Sequence, residues 1–287
     1  MYQRLKQHII QILSPLSAGS QQVDLEGLNN TPFLDTSQTL RLLTFNIQVG
    51  ISTSSYRHYL TRSWQHILPH KKRQENLDKI AALLCEYDVV ALQEVDGGSL
   101  RSGFINQVEY LAQEGEFPYW YQQLNRNFGP VAKHSNGLLS RYRPIEVDEY
   151  SLPGLIPGRG VIVAQYGKKS DPIVLVIMHL SLSDSAQNQQ LRFVREIIDD
   201  FNHVVLMGDM NTHAEKLLHD SPLKGAGLVT LPGVSHTFPS WRPEKALDHI
   251  LVSRSLLVRR AGVVTFPVSD HLPIALEVSL PDGYHEK

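Results

Sequence analysis

Between residues 137 and 179 the chain runs through three apolar, β-branched segments, at 137–140, 160–166 and 173–179, with no helical stretch between them. A doubly wound parallel sheet needs a crossover helix between successive strands. Strands that follow one another directly favour an α+β body, with two packed sheets flanked by helices. Further strands are read at 42–47, 89–93, 204–207, 248–252 and 274–278, each bounded by turn residues. Helical periodicity marks 74–87, 105–114 and 186–201, where Leu191, Val194, Ile197 and Ile198 share one face.

At 287 residues the chain exceeds the usual domain size, but a two-sheet architecture absorbs that length around one body. Residues 1–38 separate from it. Leu5, Ile9, Ile10 and Leu13 recur at helical spacing ahead of a Ser/Gly/Gln/Asn-rich stretch, which reads as a helical arm on a linker. The catalytic body is expected over 39–282. The arm's polar face is not densely basic, so docking on the body is preferred to a membrane-surface helix. The single cysteine, Cys85, allows no internal disulfide and no cysteine-rich zinc site. No apolar run spans a bilayer and no signal-peptide core is evident, so a cytoplasmic location is expected; a monomer is expected as well. A formal net charge of −2 offers no global basic field for DNA, which leaves only local contact with nucleic acid.

The chemistry sits where polar residues interrupt the strands. Asn46 closes the apolar segment LLTFN, and Glu94 follows VVALQ. A buried amide or carboxylate there must be hydrogen-bonded or coordinate a cation. Taken singly, a satisfied strand-end group is the commoner case. In VVLMGDMNT, Asp209 and Asn211 stand two residues apart after a strand and a glycine, a spacing that in extended chain turns both to one face. Asp248 opens the strand of ALDHILVS, Asp270 and His271 precede another in VSDHLPIALEV, and His179 ends IVLVIMH. A satisfied histidine is the bland reading for either imidazole, and the 13 histidines of the chain give it weight. Position at a strand end beside a carboxylate weighs against it.

The ordered set TFN, LQE, HLSL, GDMN, LDHI and SDHLP resembles the endonuclease/exonuclease/phosphatase superfamily, to which DNase I, exonuclease III, neutral sphingomyelinases and inositol polyphosphate 5-phosphatases belong. The resemblance covers about residues 40–280 and implies a DNase I-like four-layered α/β sandwich. It also implies a Mg²⁺-dependent phosphoesterase, with Mn²⁺ as a possible substitute. Glu94 would be the principal metal ligand, with Asn46 and Asp270 completing the shell. Hard oxygen donors suit such a cation, whereas a set without thiolates and not dominated by histidine disfavours zinc.

By the same resemblance Asp209 acts on the attacking water and Asn211 holds a phosphate oxygen. His271 would contact the phosphate as imidazolium, oriented by Asp248, and His179 would stabilise or protonate the leaving oxygen. Asn136 in SNGLLSRYRPI and Arg159 in PGRGVIVAQY resemble substrate-side positions of the family. Arg101 in the SLRSG loop could touch a phosphate or headgroup, although a solvated loop cation is the favoured reading. The run HKKRQ at 70–74 reads as a solvated face.

The histidine in MHLSL makes the chain resemble the DNase I, sphingomyelinase and 5-phosphatase side more than exonuclease III, although the disulfides and signal peptide of a secreted nuclease and the 5-phosphatase pattern around the metal-site carboxylate are not evident. The expected substrate is a phosphodiester, small, lipid-derived or nucleic acid. A nuclease and a non-catalytic binding module on the same fold are the alternatives. Substrate choice falls to the loops 51–72 and 125–135, which carry no readable motif.

Overall fold

The computed structural model describes residues 21–22, 39–50, 71–154, 157–231 and 233–281. The expected helix of the N-terminal arm and residues 51–70 of the first specificity loop lie outside them.

Among the described residues, thirteen strands form two sheets. The first sheet contains β1 (Gln21–Gln22), β2 (Thr39–Asn46), β3 (Val89–Asp96), β4 (Tyr119–Asn127), β5 (Lys133–Ser140), β12 (Leu257–Val263) and β13 (Ile274–Ser279), in the order β1-β4-β5-β3-β2-β13-β12. The second contains β6 (Glu146–Ser151), β7 (Gly160–Lys168), β8 (Asp171–His179), β9 (His203–Asp209), β10 (Leu228–Thr230) and β11 (Asp248–Ser253), in the order β10-β11-β9-β8-β7-β6. Each sheet has one parallel pair, β2 with β3 and β8 with β9, and all other pairings are antiparallel. The first parallel crossover carries helix α1 (Lys71–Leu84) and the second carries α3 (Asp184–Ile198). α2 (Gln107–Glu114) precedes β4 and α4 (Ala214–His219) follows β9.

Strand alternation distributes the core into layers. In β8, Ile173, Leu175 and Ile177 enter the core between the sheets, while Val174, Val176 and Met178 meet α3 on the other side. Likewise Leu40 and Leu42 of β2 face the second sheet, whereas Leu43 and Phe45 pack under α1 and α2. The order helix, sheet, sheet, helix is the four-layered sandwich expected from the motifs. Leu191, Val194, Ile197 and Ile198 of α3 are buried together, as their shared face requires.

Five strands escape the sequence pattern: the two- and three-residue edge strands β1, which lies in the expected linker, and β10, together with β4, β6 and β12. β6 and β12 are edge strands with half-exposed or exposed faces, so charged residues interrupt their alternation. β4 reads YWYQQLNRN, yet Gln122 and Gln123 are buried. The Gln122 amide donates to Ser135 Oγ (2.9 Å) and that of Gln123 to the Tyr150 and Val161 carbonyls (both 3.1 Å). The solvated basic run is corrected at Arg73, which is buried on α1. Its pKa is pushed down to about 10, first by burial and then by the charge of Arg101. No helix among the described residues is long and apolar enough to cross a membrane.

One close approach fixes the strands that carry the site. Gly208, at φ 146°, lies one residue before Asp209, and a Cβ there would come within 1.9 Å of the Met178 carbonyl oxygen in β8. Only glycine lets the two backbones meet this way. Gly208→Ala is expected to cost about 3 kcal/mol or more, from backbone strain plus overpacking against main chain. Chemical denaturation of parent and variant measures it, and a loss below about 1 kcal/mol would show that β8 and β9 separate freely.

Candidate active site

The site grows out of strand register. His179 of β8 pairs with Asp209 of β9, and Asp209 pairs with Asp248 of β11. Residues opposite one another on neighbouring strands turn their side chains to the same face, so these three form one row across the second sheet. The His179 Nε2 lies 3.5 Å from Asp209 Oδ2.

The first sheet reaches across to this row. Asn46 Nδ2 donates to Asp209 Oδ2 (3.1 Å), and Asn46 Oδ1 accepts the Gln48 amide (3.2 Å). His271, just before β13, places Nδ1 2.7 Å from Asp248 Oδ2 and Nε2 3.9 Å from Asp209 Oδ2. All of these side chains are buried. Thr237, absent from the sequence reading, donates Oγ1 to the same Asp248 oxygen (2.6 Å). Ser269 ties the two segments of the first sheet, donating to the Asn46 carbonyl (2.8 Å). Thr237 stands in no motif, whereas Ser269 belongs to SDHLP.

Glu94 reaches the site through a bulge. β3 does not end at Gln93 as expected; it continues to Asp96, with a register shift against β5 between Leu92 and Val95. Leu92 and Val95 both enter the core under α1 and α2, although an odd separation would put them on opposite faces of a regular strand. The extra residue resolves the conflict, and Glu94 takes it up at φ 54°. For a non-glycine residue this left-handed backbone stores strain of the kind concentrated at functional sites.

Glu94, Asn136, Arg159 and His179 line one cavity of about 180 Å³, together with Asn125, Arg126, His134, Ser135 and Gly158. Asn136 is buried and donates its amide to the Gly160 carbonyl (3.1 Å), while its Oδ1 meets no hydrogen-bond partner. Asn125, Arg126 and His134 fall within 125–135, expected as a loop without a motif; the structure instead extends β4 to Asn127 and starts β5 at Lys133, so these residues stand on paired strands.

Two expected contacts change. Arg101 is not a solvated loop cation and does not line this cavity; it is buried, with Nε 3.0 Å from Asp96 Oδ2 and Nη1 3.3 Å from His134 Nε2. Burial alone would raise the Asp96 carboxyl, but donors from Ser99 and Ser102 and the Arg101 charge hold it below its ordinary value. Asn211 does not extend β9, which ends at Asp209. It adopts φ 51°, its amide nitrogen donates to the Leu180 carbonyl (3.0 Å) and its main-chain N–H to Asp209 Oδ1 (3.0 Å). The extended-strand spacing argument therefore fails here, and Asn211 braces the exits of β8 and β9.

The electrostatics separate the groups. Burial, together with Asp248 and Glu94, raises the Asp209 carboxyl to about 7 against the pull of His271. Burial and Glu94 raise Asp270 to about 6. His271 goes the other way: burial disfavours its charge, but Asp248 and Asp209 overcome it and hold the imidazolium well above the ordinary range. His179 is driven well below that range by burial, then by Arg159 and His271, and is neutral.

Asp209, Asp248 and His271 bring their donor atoms within 4.8 Å of one another. Within the trio His271 Nδ1 is committed to Asp248 Oδ2 and Asp209 Oδ2 accepts from Asn46, so these groups are held by one another in a hydrogen-bonded cluster. Glu94 and Asp270 offer a fit for a divalent cation, because Glu94 raises the negative potential at Asp270 that such a cation would relieve, and Asn46 stands beside them, pairing with Gln93 and accepting from Ser269.

A mixed two-sheet sandwich with a carboxylate, amide and imidazole cluster at its strand ends defines the DNase I-like class of phosphoester-hydrolase scaffolds. The chain belongs to the Endonuclease/Exonuclease/phosphatase family, whose sequence pattern matches residues 43–271. Among solved structures, an endonuclease/exonuclease/phosphatase from Beutenbergia cavernae is similar at 21% identity and TM-score 0.66, over 85% of this chain and 72% of that one. A Bacteroides thetaiotaomicron mannosyl-6-phosphatase is similar at 17% identity and TM-score 0.58, over 84% of this chain and 100% of the other. D. rerio TDP2 complexed with a single-strand DNA product is similar at 16% and 0.58, over 84% and 99%. No curated protein matches the sequence.

His134 gives the site region a pH signature. Burial and the Arg101 charge lower its pKa to about 4, so the folded chain binds this proton less readily than the unfolded chain. That contribution to stability is full above the ordinary imidazole value of about 6.5 and is lost as pH falls from there towards 4. His134→Gln should flatten the pH dependence of thermal stability across this window. Identical slopes in parent and variant would show that His134 titrates normally.

Proposed function

We propose that the chain is a Mg²⁺-dependent phosphodiesterase acting on a small or lipid-derived phosphodiester. The observation that carries this reading is the in-register row His179, Asp209 and Asp248, met from the other sheet by Asn46 and His271 beside the cavity of Glu94 and Arg159.

Asp209 orients the attacking water and accepts its proton. Asn46 holds one Asp209 oxygen and the Asn211 main chain holds the other, so the carboxylate cannot turn away. The water oxygen forms the new P–O bond in line with the departing oxygen, which leaves with the bonding pair. His271, fixed by Asp248 and Thr237, presents positive charge to the phosphate. Arg159 and the unpartnered Oδ1 of Asn136 address the substrate from the cavity wall. His179 donates a hydrogen bond to the leaving oxygen as its charge develops. A divalent cation held by Glu94 and Asp270, with Asn46 adjoining, would supply charge neutralisation at the phosphoryl oxygens.

A non-catalytic binding module would have no physical need for a water-orienting carboxylate fixed on both oxygens. A nuclease is disfavoured by the net charge of −2. We take the enzyme to act as a cytoplasmic monomer.

Hydrolysis of bis-p-nitrophenyl phosphate should stop in EDTA and return with Mg²⁺ or Mn²⁺. Glu94→Ala should lower kcat/KM by several kcal/mol of transition-state stabilisation, about a thousandfold. Full turnover by the metal-stripped enzyme would sink the cation site. A steep loss of activity with salt, on DNA turned over faster than small diesters, would move the assignment to a nuclease.

His179→Ala and Asp209→Asn should part company when leaving groups are compared. Asp209→Asn slows good and poor leaving groups alike. His179→Ala is mild on p-nitrophenyl esters and more severe on alkyl esters, by about 2–4 kcal/mol. Equal losses on both ester types would withdraw the leaving-group role.

A further inference from the structure

Among the described residues, the large apolar side chains left exposed are Leu100, Phe104, Phe128, Val131, Leu182 and Leu257. All but Leu257 lie on loops at the end of the sheets where the site opens. Leu100 and Phe104 follow β3 a few residues after Glu94, Phe128 and Val131 form the β4–β5 turn, and Leu182 follows His179. A soluble surface scatters single apolar residues, so this concentration on one rim calls for a cause.

The β3–α2 loop and the β4–β5 turn are one structure. The Leu100 amide donates to the Pro130 carbonyl (2.7 Å), Gly97 to Lys133 (3.0 Å) and Arg101 to Val131 (3.3 Å). Beneath them Arg101 is locked by Asp96, and the Phe128 ring stands edge-on to His134, whose side chain lines the catalytic cavity. Phe104 is 65% exposed and also held at φ 65°, left-handed backbone that a bulky residue avoids. Strain and exposure together at one phenylalanine mean that the fold gains nothing from the side chain where it stands.

Charge selects the partner. The two rim loops, residues 97–106 and 125–135, contain no Asp or Glu; Arg101 is neutralised by buried Asp96, which leaves Arg126 and Lys133 as the cations beside the rim. The Arg126 guanidinium sits 5.8 Å from the Phe128 ring centre, at the cavity wall. A second copy of the chain would bring like charges together. Stacking on nucleobases would use the two phenylalanines and leave Leu100 and Val131 without a role, since aliphatic side chains have no π face. An apolar rim flanked by Arg126 and Lys133, with no Asp or Glu in its two loops, matches the interface of a phospholipid bilayer with anionic headgroups.

We propose that the apolar rim formed by Leu100, Phe104, Phe128 and Val131 docks the enzyme on an anionic phospholipid surface, so that the cavity receives a phosphodiester headgroup from a lipid still in the bilayer. The choice of lipid as substrate rests on the phosphodiesterase reading above; the docking itself does not.

The test sediments the full chain with phosphatidylcholine vesicles, with and without phosphatidylserine, and follows bis-p-nitrophenyl phosphate hydrolysis in the same samples. The parent should pellet with vesicles, more so with phosphatidylserine. Phe104→Asn and Phe128→Ser should each weaken partitioning about tenfold, the effect of removing one well-buried aromatic side chain, and leave hydrolysis of the soluble diester unchanged. Asparagine tolerates left-handed backbone, so Phe104→Asn keeps the loop and separates docking from folding. No vesicle binding by the parent, or equal binding by parent and variants, overturns the surface. Binding of a single-stranded oligonucleotide that both variants lose, without vesicle binding, overturns it in favour of nucleic acid. If the parent binds vesicles but leaves bis-p-nitrophenyl phosphate intact, docking stands and the phosphodiesterase reading falls.

Discussion

The contact on which the rest of the site depends is the buried hydrogen bond from Asn46 to Asp209, with His271 bridging to Asp248 beside it. Across most of the seam the sheets meet through apolar side chains, which tolerate small sliding movements; at this cluster, as at Gln123 and Asn136 nearby, they are joined by directional polar groups that do not. Each of these side chains is buried, so losing one partner would leave an unpaired charge or amide without water. The same bonds that position Asp209 for chemistry therefore set the separation of the two sheets. Carboxylates accumulate at this seam beyond what His271 and Arg159 offset, which is why burial and mutual repulsion raise Asp209 and Asp270.

Much of this was legible in the chain before any coordinates. Asn46, Asp209, Asp248 and His179 occupy strand ends because the flanking β-branched runs are unambiguous, and polar residues at the close of such runs have few places to go. Their convergence is a consequence of register, since β8, β9 and β11 align their ends. Glu94 was found for a reason only half correct. The apolar run marks the strand, but the bulge that delivers the side chain depends on pairing with β5, a partner more than forty residues away. Asn211 shows the converse, where spacing suggested a shared face and a left-handed turn removed it.

The edge strands and the cavity wall were illegible for a different reason. β4 carries buried glutamines, Gln122 bonded to the side chains of Ser135 and Asn106 and Gln123 to main-chain carbonyls of other strands, so its polarity mimics a loop. Arg101 looked solvated because its partner, Asp96, resembles any acidic turn residue until Ser99 and Ser102 are seen to enclose it. Thr237 belongs to no motif and matters through one hydrogen bond. Buried polar pairing, whether across strands as at Gln123 or within one loop as at Asp96, depends on how side chains are enclosed, and local patterns do not encode it.

The place of β13 in the first sheet has a consequence for how the molecule acquires its chemistry. This strand, among the last along the chain, inserts next to β2, among the first, and brings Asp270 and His271 with it. Closing so long a loop is entropically costly and slow compared with forming the local hairpins. The central helices and both parallel pairs can assemble while the reactive cluster still lacks two of its members. Competence is thus a property of sheet closure: a folding intermediate can have its hydrophobic layers in order and remain chemically silent until its two distant segments meet.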